Sequence, residues 1–272
     1  MSAVREHLGG LSTETRLHDT LVLAVAMCFI GHGAFGIITK PVWCNYFAVV
    51  GIDHEWAYRL MPIVGTVDVF LGILMLARPM RAILVWAVLW GTWTAALRPL
   101  SGEPFAELVE RAGNFGAPLA LLLLAGGRRS VTAWLARIPI AVHPSAATLR
   151  RLNLCLRILA GLLLLGHGWL NLLGKQSLLD QYTRLGFSRP VAVAHAIGWF
   201  EVALAGAVLL RPTPRMLLMA FLWKAGSELF YPSHPVLEWI ERGGSYGVLF
   251  ALWLMLCIPS TRPVGFTIAE HS

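Results

Sequence analysis

Eight long apolar stretches, at about 20–39, 60–77, 82–98, 106–126, 153–174, 191–210, 215–231 and 237–258, constrain this chain more than any other feature. A bilayer core of about 30 Å takes roughly 20 apolar residues per helix. The pattern therefore predicts an all-α integral membrane protein with eight transmembrane helices. Composition agrees: 57% of the 272 residues are hydrophobic and only 14% are charged. Soluble domains carry roughly 25% charged residues, and the mean hydropathy here is +0.65. A soluble enzyme and a disordered chain are both excluded.

The formal net charge of +7 does not point to nucleic acid, because the basic residues lie between the spans rather than in one patch. They fit the positive-inside rule. With both termini on one side, that side carries thirteen cations, among them Arg78, Arg81, Arg128, Arg129, Arg150, Arg211 and Arg215, against four anions. The rest of the chain has nine cations and eleven anions. Both termini are thus expected in the cytoplasm, with the protein multi-pass in the inner (plasma) membrane. The first 19 residues are polar and show no cleavage signal of the secretory kind. Cys28, Cys44, Cys155 and Cys257 form no C-x-x-C pair and no metal spacing.

The two halves of the sequence repeat one another. Gly31-His32-Gly33 recurs as Gly166-His167-Gly168, and at the same offset of 135 Lys40 matches Lys175. At an offset of 133, Gly65 matches Gly198, Asp68 matches Glu201, Arg78-Pro79 matches Arg211-Pro212, and Trp90 matches Trp223. At 131, Glu107 matches Glu238, Glu110-Arg111 matches Glu241-Arg242, and Gly113 matches Gly244. The offset changes only in expected loops, where insertions are tolerated. Four spans preserve orientation, so the expectation is two tandem, parallel four-helix bundles. The divisions are a cytoplasmic arm (1–19), a first repeat (20–126), a basic linker (127–152), a second repeat (153–259) and a cytoplasmic tail (260–272).

Each half resembles a DoxX-like unit. The resemblance rests on Gly166-His167-Gly168, Lys175, Leu185-Gly186-Phe187, Gly198, Glu201 and Leu209-Leu210-Arg211-Pro212, with Asp68 replacing the Glu in the first half. It covers nearly all of both repeats and implies four-helix membrane units. Members of that family are associated with thiosulfate or quinone-linked redox complexes, or act as assembly or trafficking factors. The resemblance thus implies a membrane component of a redox or quinone-linked system, with other redox-complex subunits as partners beside the lipid bilayer.

Within spans, ionisable groups cost about 2.5–3.5 kcal/mol on insertion scales and face the protein interior. His32 and His167 are therefore candidate catalytic groups, each expected to pair with a carboxylate on the next span, Asp68 or Glu201. Such a pair either shuttles protons to a ligand or ties two helices together. Lys224 and Glu228 lie i, i+4 on span seven, where the first half has Gly91 and Ala95. They single out the second bundle, with Lys224, Glu228, Trp223 and Lys175 as ligand-binding candidates.

Lys40 and Lys175 read as snorkelling cations, and the two Glu-Arg pairs as interfacial salt bridges or helix caps. Trp43, Trp56, Trp134 and Trp239 read as interface anchors, and Trp90 and Trp223 as core. A quinone is the cofactor class such a site would take. Haem would require a second axial histidine in one bundle, drawn from His54, His195 or His234. No metal motif is present. The rival class is non-enzymatic: a membrane scaffold, chaperone or small-solute transporter.

Overall fold

The computed structural model describes residues 12–126, 130, 132–140 and 144–257. The basic residues Arg5, Arg128, Arg129 and Arg262 and the tail 260–272 lie outside them, as do residues 1–11 of the N-terminal arm. Among the described residues there is no strand, only an isolated bridge between Met80 and Arg137. The helices are α1 (Thr13–Ile37), α2 (Trp43–Val49), α3 (His54–Ala77), α4 (Arg81–Leu100), α5 (Ala106–Glu110), α6 (Ala112–Ala125), α7 (Thr132–Leu135), α8 (Ala146–Leu172), α9 (Gln176–Arg184), α10 (Pro190–Leu210), α11 (Pro214–Glu228), α12 (Pro235–Glu241) and α13 (Gly243–Cys257).

Five of these, α1, α3, α4, α8 and α10, are long and apolar enough to cross a membrane; α6 and α13 are apolar but shorter. The chain is thus a membrane protein whose helices contact lipid. Their outward faces are apolar: Ile63, Val67, Phe70 and Ile73 on α3 are about half exposed or more, as is Trp199 on α10. Side chains of that kind have no place on a water-facing surface in such density.

α1 and α8 start earlier than the apolar runs alone indicate, because a serine caps each. Ser12 accepts from the Thr15 amide at 3.2 Å and Ser145 from the Thr148 amide at 3.1 Å, satisfying donors that helix starts leave open. The expected fourth and eighth spans are each two helices in succession, α5–α6 and α12–α13. The break falls at Arg111 and at Arg242, where ψ rises to 12° and 11°. There the amides of Asn114 and Ser245 turn back on the Arg111 and Arg242 carbonyls at 2.9 Å, three residues away rather than four. The expected seventh span is a 15-residue helix, α11.

Four helices occupy the centre. α1 packs on α3 and α13, and α8 packs on α10, α5 and α6, while α6 and α13 also touch each other. Leu21, Val25, Ala120, Leu121, Leu156, Leu163, Val248 and Leu252 share one buried cluster. The last helix of each half of the chain therefore lies along the first helix of the other half.

Glycine permits the closest of these approaches. A Cβ on Gly31 would collide with the Glu241 backbone, and one on Gly166 with the Glu110 backbone. Each His-Gly segment is thereby held against the broken helix of the opposite half.

Candidate functional site

The site is built on the second-to-last turns of α1 and α8, where His32 and His167 point between helices. His32 Nδ1 donates to Asp68 Oδ2 at 2.7 Å, and His167 Nδ1 donates to Glu201 Oε2 at 2.6 Å. Both carboxylates are buried, Glu201 completely. The tryptophans one helix further on complete each pair. Trp90 Nε1 donates to Asp68 at 3.3 Å and Trp223 Nε1 to Glu201 at 2.9 Å. Each carboxylate thus orients an imidazole and an indole together. A bound Nδ1–H leaves Nε2 of the neutral ring as the free lone pair. Among the described residues no hydrogen bond reaches Nε2 of either ring, but Nε2 of His167 lies 4.0 Å from Glu228 Oε1.

Beside each histidine is a cavity. The first, about 230 Å³, is walled by Trp43, Tyr46, Phe47, Trp90 and Trp93, with His32, Arg98, Arg111, Asn114 and Glu241 as its polar lining. The second, about 360 Å³, is lined by His167, Gln181, Tyr182, Phe187, Trp223 and Glu228, among others. Both are lined mainly by apolar and aromatic side chains with a few polar groups, the usual make-up of a small-molecule site. The helices α2 and α9, which lie in the expected outer loops, supply one wall of each.

The second cavity has an additional hydrogen-bond chain. Tyr182 Oη donates to Asn171 Oδ1 at 2.6 Å, and Asn171 Nδ2 reaches Glu201 Oε2 at 3.4 Å. Burial pushes the Tyr182 phenol up, with the Glu201 charge adding to it, so Tyr182 remains a donor. Sequence reasoning missed Asn171 and Tyr182. The available signal was that Asn171 lies one turn after His167 on the same helix face.

Between the cavities runs a buried ionic bridge, which replaces the expected interfacial salt bridges. Arg242 contacts Glu110, reaches Glu228 at 3.0 Å and lies 3.7 Å from Glu238. Arg111 pairs with Glu241 at 3.3 Å. All six side chains are at least nine-tenths buried, because the short helices α5 and α12 tuck under the ends of α8 and α1. The two lysines expected to snorkel are also held by the opposite half. Lys40 pairs with Glu238 at 2.6 Å and Lys175 with Glu107 at 2.5 Å.

Several candidates take places other than the cavity wall. Lys224 is fully buried behind Glu228, which it pairs with at 2.6 Å, and Lys175 is engaged by Glu107. Glu201 sits behind His167 and Trp223 rather than on the cavity surface. Trp43, expected at the interface, is buried and its ring lies 4.5 Å from that of His32. The α2 helix folds it inward over the site. His54, His195 and His234 are exposed. His54 meets Tyr58 and His234 meets Phe35, neither of them a histidine partner of the site. No group of three or more His, Cys, Asp or Glu able to hold a metal occurs among the described residues.

Comparison with family models, with curated proteins and with solved structures gives no significant match for this chain.

Proposed function

We propose that the protein binds a small, flat hydrophobic ligand of the quinone class in its two histidine cavities, as a membrane component of a redox-linked system. The observation that carries this reading is the duplicated geometry: a histidine whose Nδ1 is fixed by a buried carboxylate, beside an aromatic-walled cavity, with Nε2 making no hydrogen bond among the described residues and, at His167, lying 4.0 Å from Glu228. Fixing one nitrogen sets the tautomer and leaves the other to accept or return a proton at the ligand's oxygen. The aromatic walls supply stacking and apolar burial. A quinone brings the electron chemistry; His32 and His167 hold the proton.

The same reading takes the chain as two tandem DoxX-like halves in the inner membrane, with both termini cytoplasmic and the cavities in the outer half of the bilayer. The matched pairs of bonds at His32 and His167, at Trp90 and Trp223, and at Arg111 and Arg242 support the duplication. Neighbouring redox subunits are the expected partners. A second reading, a small-solute transporter, draws on the paired breaks at Arg111 and Arg242, since interrupted helices mark solute sites in transporters.

Titration of the full chain in lipid nanodiscs with naphthoquinone separates these readings. Tryptophan fluorescence is expected to fall saturably, with two molecules bound per chain, one per cavity. With the reduced, dihydroxy form of the same compound, the affinity of His32→Phe with His167→Phe is expected to drop about tenfold, since each phenolic hydroxyl then loses the imidazole Nε2 that accepts from it. A linear, unsaturable quench equal in both proteins means partition into lipid only, and removes the quinone reading.

A further inference from the structure

The His32 cavity shares His32, Trp90, Gly91, Thr94 and Asn114 with a recess of about 20 Å³ that is also bounded by Cys28 and Asp68, among others. A space of roughly 10–15 Å³ is enough for one water-sized group, provided two or more polar partners are present. The recess therefore matches a single hydroxyl or carbonyl oxygen, and the 230 Å³ cavity outside it matches a ring system. An apolar cavity of about 150 Å³ takes benzene, so the outer space suits two fused rings.

Among the described residues, two polar groups at the recess make no hydrogen bond: His32 Nε2, and the side-chain amide of Asn114, a residue only 9% exposed. A carboxamide that opens onto a cavity with no protein partner is available to a ligand as donor or acceptor. The pairing of Nδ1 with Asp68 makes Nε2 of the neutral ring an acceptor, while Asn114 Nδ2 is a donor. An oxygen placed between them has to donate to one and accept from the other. A hydroxyl does both. A carbonyl satisfies Asn114 and leaves His32 Nε2 unpaired, and an ether oxygen does the same with an added methyl to accommodate.

We infer that the His32 cavity selects a bicyclic aromatic ligand carrying a phenolic hydroxyl, the reduced form of the quinone class, with the hydroxyl seated between His32 Nε2 and Asn114. This rests on the reading that the cavities take flat hydrophobic ligands, and adds which oxidation state the first one favours. The second cavity does not share the preference. At the place corresponding to Asn114 it has Ser245, which is not on its wall. The two sites then differ in kind: a hydroxyl-selective one at His32, and a larger one at His167 with the Tyr182–Asn171 chain.

Calorimetric titration of the full chain in nanodiscs with naphthol and with its methyl ether tests this without redox chemistry. The expected result is that naphthol binds its tighter site about tenfold or more better than the ether, since a site built around a hydroxyl rejects an analogue lacking it. In Asn114→Leu the two affinities are expected to converge to within about twofold through loss of the naphthol's advantage. Asn114→Ser, which places at 114 the residue type found at 245, provides the same readout should the leucine variant fold poorly. Equal affinities in the wild type, or a preference unchanged in both variants, would overturn the inference while leaving the cavity reading intact. Failure of both compounds to bind overturns the cavity reading and the selectivity with it.

Discussion

Replacing Gly166 or Gly31 with valine is expected to abolish accumulation of the folded protein. At both positions a side chain would enter the backbone of the opposite half, at Glu110 for Gly166 and at Glu241 for Gly31. Backbone cannot yield as a flexible side chain can. Overpacking costs typically 1–3 kcal/mol, and contact with backbone places these sites at about 3 kcal/mol or beyond. That is a large share of a marginal stability. Gly206→Ala is the matched control, because nothing lies within 4 Å of a Cβ there. Size-exclusion profiles of the three variants in detergent check the contrast. A normal monodisperse peak for Gly166→Val would show that the halves do not interlock at this point.

Arg242→Leu is expected to produce the second large effect. Arg242 is in contact with Glu110 and Glu228 and close to Glu238, with all four side chains buried. Removing the cation leaves Glu228 to Lys224 and Glu238 to Lys40, while buried Glu110 keeps only Lys224 at 3.8 Å. Breaking a buried pair from one side costs about 3–5 kcal/mol, far more than the intact pair contributes relative to apolar residues. The thermal unfolding midpoint in detergent should fall steeply. Adding Glu110→Gln to Arg242→Leu should restore part of the loss, since the carboxylate left with the most distant cation is then removed. A midpoint within experimental scatter of wild type would mean that water or lipid headgroups reach the bridge and solvate it.

The membrane class and the His–carboxylate pairs were legible in the sequence because both follow from strong constraints. Apolar length marks membrane-crossing helices, of which five are long enough among the described residues, and an in-span histidine requires a polar partner within reach. Asp68 and Glu201 share a face with small residues that lets α3 and α10 come close to α1 and α8, and the structure places them there.

What the sequence did not reveal depends on contacts between distant segments. Glu110, Arg111, Glu241 and Arg242 sit at the start of apolar runs, where a charge normally faces the interface. Only the packing of α5 on α8 and α12 on α1 turns them inward. Their repetition as Glu-Arg followed by glycine was the one available hint. Trp43 likewise looks like an interface residue until α2 folds it over His32. Asn114 carries no motif, and its importance follows from being left unpaired beside a cavity.

The central claim, that the histidine cavities are ligand sites rather than packing defects around structural histidines, is tested most directly by native mass spectrometry of gently extracted protein. The account expects wild-type protein to carry a small hydrophobic molecule that dissociates on activation and is identified as quinone-class in the organic extract. The same molecule should be lost from a folded His32→Phe, His167→Phe double variant. Wild-type protein that is fully folded, free of any bound small molecule after gentle extraction and unaltered in mass on incubation with naphthoquinone would contradict it.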